Sequence, residues 1–183
     1  MLPDTQIVAG ALEDSRFCVE KKELREMFEN LIAASVNSDT ADSVHPSFSN
    51  IIRRMSPHDA SILKMFKERG NRPIANFVCH YKTGGFSHYY QNIFRAVDNF
   101  SAMEQDSLSL ECLRSLGLIS ISYDSYLSND AQYEPLKNSK LLLETQDLFS
   151  CNPGISLTLE KCDFQKGVVS LTDFGTRFLK TCT

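Results

Sequence analysis

The sequence predicts an α+β fold, with helices in its first part and strands interleaved with helices after that. Three observations carry the prediction. Apolar residues recur at helical spacing from Ile7 to Phe66. Ile155, Leu157 and Leu159 alternate with polar residues, and the run Val168-Val169-Ser170-Leu171 follows. Gly70, Gly117 and the capping residues Ser56 and Thr172 fall at the joints between these stretches.

The first segment, Pro3 to Phe17, reads as a helix. Proline suits a first turn because its missing N–H has no partner there anyway, and Ile7, Ala11 and Leu12 make a short apolar stripe. The second helix is clearer. Leu24, Met27, Phe28, Leu31, Ile32 and Ser35 recur at i, i+3, i+4 and i+7, and Asn37-Ser38-Asp39 ends it. Pro46 opens a third helix with Phe48, Ile51, Ile52 and Met55 inward. Ser56-Pro57-His58-Asp59 starts a fourth. Ser56 is placed to accept an early amide, Pro57 stands at N1, and Asp59 favours the positive end of the dipole. Gly70 stops it.

Pro73 to Lys82 reads as extended, and Gly84-Gly85 breaks the chain. Tyr90, Ile93, Phe94 and Val97 have helical spacing. In Asp106 to Ile119, Leu108, Cys112, Leu113 and Leu116 line a helix face, Gly117 ends the helix, and Leu118-Ile119 starts a strand. A short helix is expected near Leu141 to Leu148. Gln165-Lys166-Gly167 reads as a turn between the strand through Leu159 and the return strand Val168–Leu171. Thr172 caps a last helix with Phe174, Phe178 and Leu179 inward. The order helix, glycine, strand, loop, strand, helix is a winged-helix layout. The expected architecture is one domain over 1–183. N-terminal helices (1–55) pack on a winged-helix-like part (56–183) with a β-hairpin and insertions near 73–100 and 124–154.

Composition narrows the classes. A chain of 183 residues buries enough apolar surface for a stable core without staples. The net charge of −4 argues against a general nucleic-acid binder, but the charge is uneven. Residues 1–50 hold four Lys/Arg against nine Asp/Glu, and residues 51–82 hold seven against two. Six cysteines lie at Cys18, Cys79, Cys112, Cys151, Cys162 and Cys182 with no CxxC pair. We read them as reduced thiols of a cytoplasmic protein. No apolar run approaches the roughly 20 residues of a membrane helix. Helical sequence begins directly after Met1-Leu2-Pro3, as in a chain trimmed from a longer protein.

Four stretches, in order, resemble the bacterial abortive infection alpha (Abi-alpha) family. They are Leu24–Ala33; His45-Pro46-Ser47-Phe48 running through Ile51-Ile52 to Ser56-Pro57-His58-Asp59-Ala60; Leu113–Ile119 with Tyr123; and Leu171–Phe178. The most specific is His-Pro-Ser-Phe followed by Ser-Pro. Family members are usually longer at the N-terminus. The resemblance implies a role in abortive infection, in which an infected bacterium blocks phage propagation. It implies no catalytic residues.

Candidate sites are few. His45 and Ser47 belong to the His-Pro-Ser-Phe motif. They read as a helix-opening motif, with acid/base or partner-binding chemistry for His45 as the sharper alternative. A hairpin at the Gly84-Gly85 turn could bring Cys79-His80 and His88 together, but zinc needs a fourth ligand and usually tighter spacing. No metal or cofactor is expected. The basic island Arg53, Arg54, Lys64, Lys67, Arg69 and Arg72 is the candidate nucleic-acid or partner surface. The helix that would read DNA, 106–116, carries Asp106 and Glu111 against Arg114 alone, and the wing tip offers only Lys166. Gly84-Gly85-Phe86-Ser87 is too short for a phosphate loop, and no nucleophile elbow, Walker loop or His-Glu-x-x-His is present. The expected function is a non-enzymatic interaction protein that binds a protein partner or itself. The alternatives are a nucleic-acid-binding regulator using residues 53–72 and a cryptic enzyme or toxin.

Overall fold

The computed structural model describes residues 5–18, 20–68, 70–152 and 158–183. Among these, the chain forms eight α-helices, two short 3-10 helices and a four-stranded sheet, the expected α+β class. Two compact units result. Unit 1 joins Met1–Gly70, Ser109–Ser120 and Leu171–Thr183, and unit 2 joins Asn71–Leu108 and Ile121–Ser170.

Unit 1 is helical and is organised around one amphipathic helix. Helices α1 (Thr5–Ser15), α2 (Lys22–Val36), α3 (Phe48–Arg54) and α4 (Pro57–Lys64) follow in order. The expected stripe of α2 is its buried face, with Leu24, Met27, Phe28, Leu31 and Ser35 inside. Ser35 donates to the Leu31 carbonyl at 2.7 Å, so its hydroxyl is satisfied in the core. Against α2 pack α1, α3, α4 and the last helix, α8 (Asp173–Cys182). Phe48 is fully buried and meets Phe174 and Phe178 edge-on at 5.5 and 5.1 Å. Burial of such a ring stabilises by about 1.5–3 kcal/mol.

The fourth helix begins as its sequence signals. Asp59 N–H donates to Ser56 Oγ at 3.1 Å, and Ser56 N–H donates back to Asp59 Oδ2 at 2.7 Å, closing a capping box. The third helix starts at Phe48 rather than Pro46, because residues 46–47 form a turn in which Phe48 N–H reaches the His45 carbonyl at 3.0 Å. The fourth ends at Lys64, ahead of Gly70, although Phe66 stays buried.

Helix α5 (Phe100–Ser115) runs from unit 2 into unit 1. Its end is the expected glycine stop. Gly117 has φ +74, its N–H reaches the Arg114 carbonyl, and Leu118 N–H reaches the Leu113 carbonyl, each at 3.0 Å. Its expected face is only partly right. Leu108 is 66% exposed, while Asp106, Leu110 and Leu113 are buried. The inward line includes Asp106, whose buried carboxylate pairs with half-exposed Arg95. Leu108, two residues before Leu110, is then about 200° away around a helix of 3.6 residues per turn.

The α8 cap closes unit 1. Thr172 Oγ accepts from Gly175 N–H at 2.8 Å and its hydroxyl donates to the Gly117 carbonyl at 2.6 Å. Gly175 lies so close to Leu118 that a Cβ there would sit 1.9 Å from the Leu118 carbonyl oxygen.

The sheet has strand order β2-β1-β4-β3, from β1 (Asn71–Tyr81), β2 (Phe86–Ile93), β3 (Ile119–Ser122) and β4 (Leu159–Leu171). Gly84 and Gly85, at φ +90 and +83, turn β1 into β2. β1 pairs antiparallel with β2 on one side and with β4 on the other, from Asn71↔Ser170 to Tyr81↔Leu159.

Two expectations fail here. The Tyr90–Val97 stretch is no helix: Tyr90 and Ile93 lie in β2. Between Ala75↔Ile93 and Phe77↔Tyr90, and again before Val78↔His88, the register gains a residue on β2. These bulges, with Asn92 at φ 57, put Tyr90 and Ile93 both inside although they stand three apart, and so imitate helical spacing. The Gln165-Lys166-Gly167 turn is also absent, because β4 runs straight through it. Gly167 is there for close approach: a Cβ would lie 2.6 Å from the Ser122 carbonyl oxygen and from Tyr123 Cδ1. The two strands expected to flank a wing tip are thus one strand. Ile155 and Leu157 lie outside the described residues.

The core of unit 2 covers one sheet face. Ala75, Phe77 and Cys79 meet Tyr90, Leu136, Leu142 and Phe149, the last three from α6 (Glu134–Lys137) and α7 (Lys140–Cys151). The α7 helix contains the short helix expected near Leu141–Leu148. Tyr133 is fully buried, and its hydroxyl donates to the Gly167 carbonyl at 2.7 Å and accepts from Leu127 N–H at 2.9 Å.

Candidate functional site

The basic island is largely engaged within the protein. Arg53 pairs with Asp14 at 3.1 Å, and Lys64 with Glu26 at 3.0 Å. Lys67 donates to the Thr183 carbonyl at 2.6 Å. Arg72 lies over the Phe94 ring, 5.4 Å from its centroid. Arg54 is exposed at the end of α3, and Arg69 lies outside the described residues. The hydrogen bond and charge of Lys64 hold the Glu26 carboxyl below the usual range. These residues also fall in different units, with Arg53, Arg54, Lys64 and Lys67 in unit 1 and Arg72 in unit 2.

The charges expected on a DNA-reading surface are placed differently from a reader's. Asp106 is 1% exposed and forms a two-point pair with Arg95, at 2.6 Å to Nε and 3.0 Å to Nη2. That hydrogen bonding pushes the Arg95 guanidinium above its already high value. Arg114 pairs with Glu111 at 3.5 Å, and Lys166 with Asp130 at 2.8 Å.

His45 and Ser47 close a small turn ahead of α3. His45 Nδ1 lies 2.7 Å from Ser47 Oγ and accepts Ser47 N–H at 3.2 Å. The His45 ring lies edge-on to Phe174 at 5.5 Å. This arrangement positions Phe48 for the core.

Cys79 and His80 are adjacent on β1, so their side chains leave opposite faces of the sheet. Cys79 turns inward, where its sulfur lies 3.5 Å from Cys162. His80 turns outward, with Nε2 3.0 Å from Asp163. Asp163 also takes Lys161 at 2.9 Å, and this hydrogen bond is the main reason its carboxyl lies below the usual range. Val78, His80, His88 and Asp163 line a groove of about 560 Å³ with Phe86 and Gln165. A His–carboxylate pair in a groove suits proton transfer, but among the described residues no serine, threonine or cysteine lines this one. No group of three or more His, Cys, Asp or Glu among the described residues is arranged to hold a metal ion. Among them, too, no helix is long and apolar enough to cross a membrane.

Sequence reasoning missed an aromatic surface on unit 2. Tyr89 and Phe100 are 45% and 50% exposed, and each meets buried Tyr90, with ring centroids at 4.7 and 5.9 Å. The bulge at Tyr90 places two successive tyrosines opposite Phe77, and Tyr89 braces Phe149 at 5.0 Å. The signal was the aromatic density of Phe86-Ser87-His88-Tyr89-Tyr90 directly after a Gly-Gly turn.

No curated protein and no solved structure matches this chain. The model of the family described as abortive infection alpha matches residues 2–182, so it spans both units and all four resembling stretches. The chain belongs to the abortive infection alpha family.

Proposed function

We propose that this protein is a non-enzymatic component of abortive infection that works in the bacterial cytoplasm by binding a protein partner. The family supplies the process. One observation carries the protein-binding reading: half-exposed Tyr89 and Phe100 each pack on buried Tyr90 of unit 2. Tyrosine and phenylalanine are enriched at interfaces because a rigid ring buries much area at little entropic cost. The basic island offers less to a nucleic acid, since Arg53 and Lys64 take carboxylates of this same chain.

The test is a double variant, Tyr89→Ser with Phe100→Ser, expressed in phage-challenged bacteria. Truncation at a hot spot costs about 2 kcal/mol or more, roughly thirtyfold in affinity. Loss of protection with a native circular dichroism spectrum is expected, together with loss of cross-links formed by the wild type. Arg53→Ala with Lys64→Ala should leave protection intact. Full protection from the aromatic variant, or its loss only in the basic variant, would overturn the reading.

A further inference from the structure

Cys79 and Cys162 stand directly opposite each other on the two interior strands, β1 and β4. Their sulfurs are 3.5 Å apart, and both thiols are free. Opposed residues of antiparallel strands have Cα atoms about 4.5–5.5 Å apart, within the range a disulfide spans. The sulfurs need approach by only about 1.5 Å, within reach of side-chain rotation.

The two thiols differ in access. Cys79 is 1% exposed. Cys162 is half-buried and lines an open groove of about 610 Å³ with Lys82, Gln146, Ser150 and Glu160. A small oxidant therefore reaches Cys162 first. We propose that Cys79 and Cys162 form a peroxide-responsive pair, with Cys162 the attacking thiol and Cys79 the resolving one.

Burial first, and then the contact with Cys162, push the Cys79 thiol up to about 12, so it keeps its proton. Burial raises the Cys162 thiol as well, and the contact with Cys79 offsets only part of that rise. In the first step the Cys162 sulfur, as thiolate, attacks one peroxide oxygen. The O–O bond breaks, a sulfenic acid forms, and the departing hydroxide leaves as water with the thiol's proton. In the second step the Cys79 sulfur attacks the Cys162 sulfur. The S–O bond breaks, the S–S bond forms, and hydroxide leaves as water with the Cys79 proton. Two thiols and one peroxide give one disulfide and two waters.

The experiment treats the full folded chain with hydrogen peroxide, blocks remaining thiols with N-ethylmaleimide and reads intact mass and linked peptides. Exposed Cys151 is an internal reference for unassisted oxidation. The expected product has lost two hydrogens, links the peptides of Cys79 and Cys162, melts at a higher temperature and reverts with dithiothreitol. Cys79→Ser should instead trap a dimedone-reactive sulfenic acid at Cys162, and Cys162→Ser should leave Cys79 reduced. Retention of both wild-type thiols at a peroxide dose that oxidises Cys151 overturns the proposal. So does a linked peptide joining either sulfur to another cysteine.

Discussion

Replacing Gly175 with alanine separates two accounts of that glycine. Taken as a residue in the first turn of a helix, it should gain from a methyl group, since alanine is the better helix former by up to about 1 kcal/mol. The structure gives the opposite sign. The new Cβ would meet backbone atoms of Leu118, at 1.9 Å from the carbonyl oxygen and 2.7 Å from the carbonyl carbon. Even a 3.0 Å contact requires the start of α8 to retreat by about 1 Å. That retreat stretches the Thr172 hydroxyl bond to the Gly117 carbonyl, now 2.6 Å, and the Thr172 N–H bond to the Leu118 carbonyl, now 3.0 Å. Overpacking costs about 1–3 kcal/mol and each lost hydrogen bond about 1 kcal/mol, less what the better helix former returns. The expected loss for Gly175→Ala is about 2–4 kcal/mol by urea unfolding followed by circular dichroism. An unchanged or more stable variant would refute the close-approach account.

Three further outcomes follow from other contacts. Gly167→Ala should cost about 1–3 kcal/mol, because its Cβ meets Ser122 and Tyr123 at 2.6 Å; an unmoved urea midpoint would show that β4 has room there. Arg95→Ala leaves the Asp106 carboxylate without its two-point partner and should cost about 2–4 kcal/mol, whereas Arg95→Met with Asp106→Leu should recover most of it; equal losses in both variants would count against the ion-pair account. Glu26 has a lowered folded pKa, chiefly through its hydrogen bond from Lys64, so its contribution is present above the ordinary glutamate value of about 4.3 and is lost as pH falls through the lower folded value. Lys64→Met should move the Glu26 carboxyl titration upward by NMR, and an unmoved titration would show that Lys64 does not hold it.

The fold was legible at three helix ends that local chemistry sets. Ser56 with Asp59, Gly117, and Thr172 with Gly175 are sets of residues only a few positions apart, and each marks its helix end as read. What depended on distant partners was not legible. Gly167 looked like a turn because its neighbours Ser122 and Tyr123 are about 45 residues away in sequence. Tyr90 and Ile93 looked helical because the bulges that bring both inside are defined by pairing with β1. Leu108 looked buried because Arg95, which draws in Asp106, was not counted with that helix. The basic island was legible as composition, but its partners Asp14, Glu26 and Thr183 were not.

The division of the chain bears on its synthesis. Both segments of unit 2 end by Ser170, while unit 1 still lacks Leu171–Thr183 at that point. Domains mature in order as the ribosome extends the chain. A nascent chain halted after Ser170 therefore holds every segment of the sheet-bearing unit and an unfinished helical one. The missing piece is the helix whose Thr172 and Gly175 seat on Gly117 and Leu118. Closure of the helical unit thus reports that translation has passed α8.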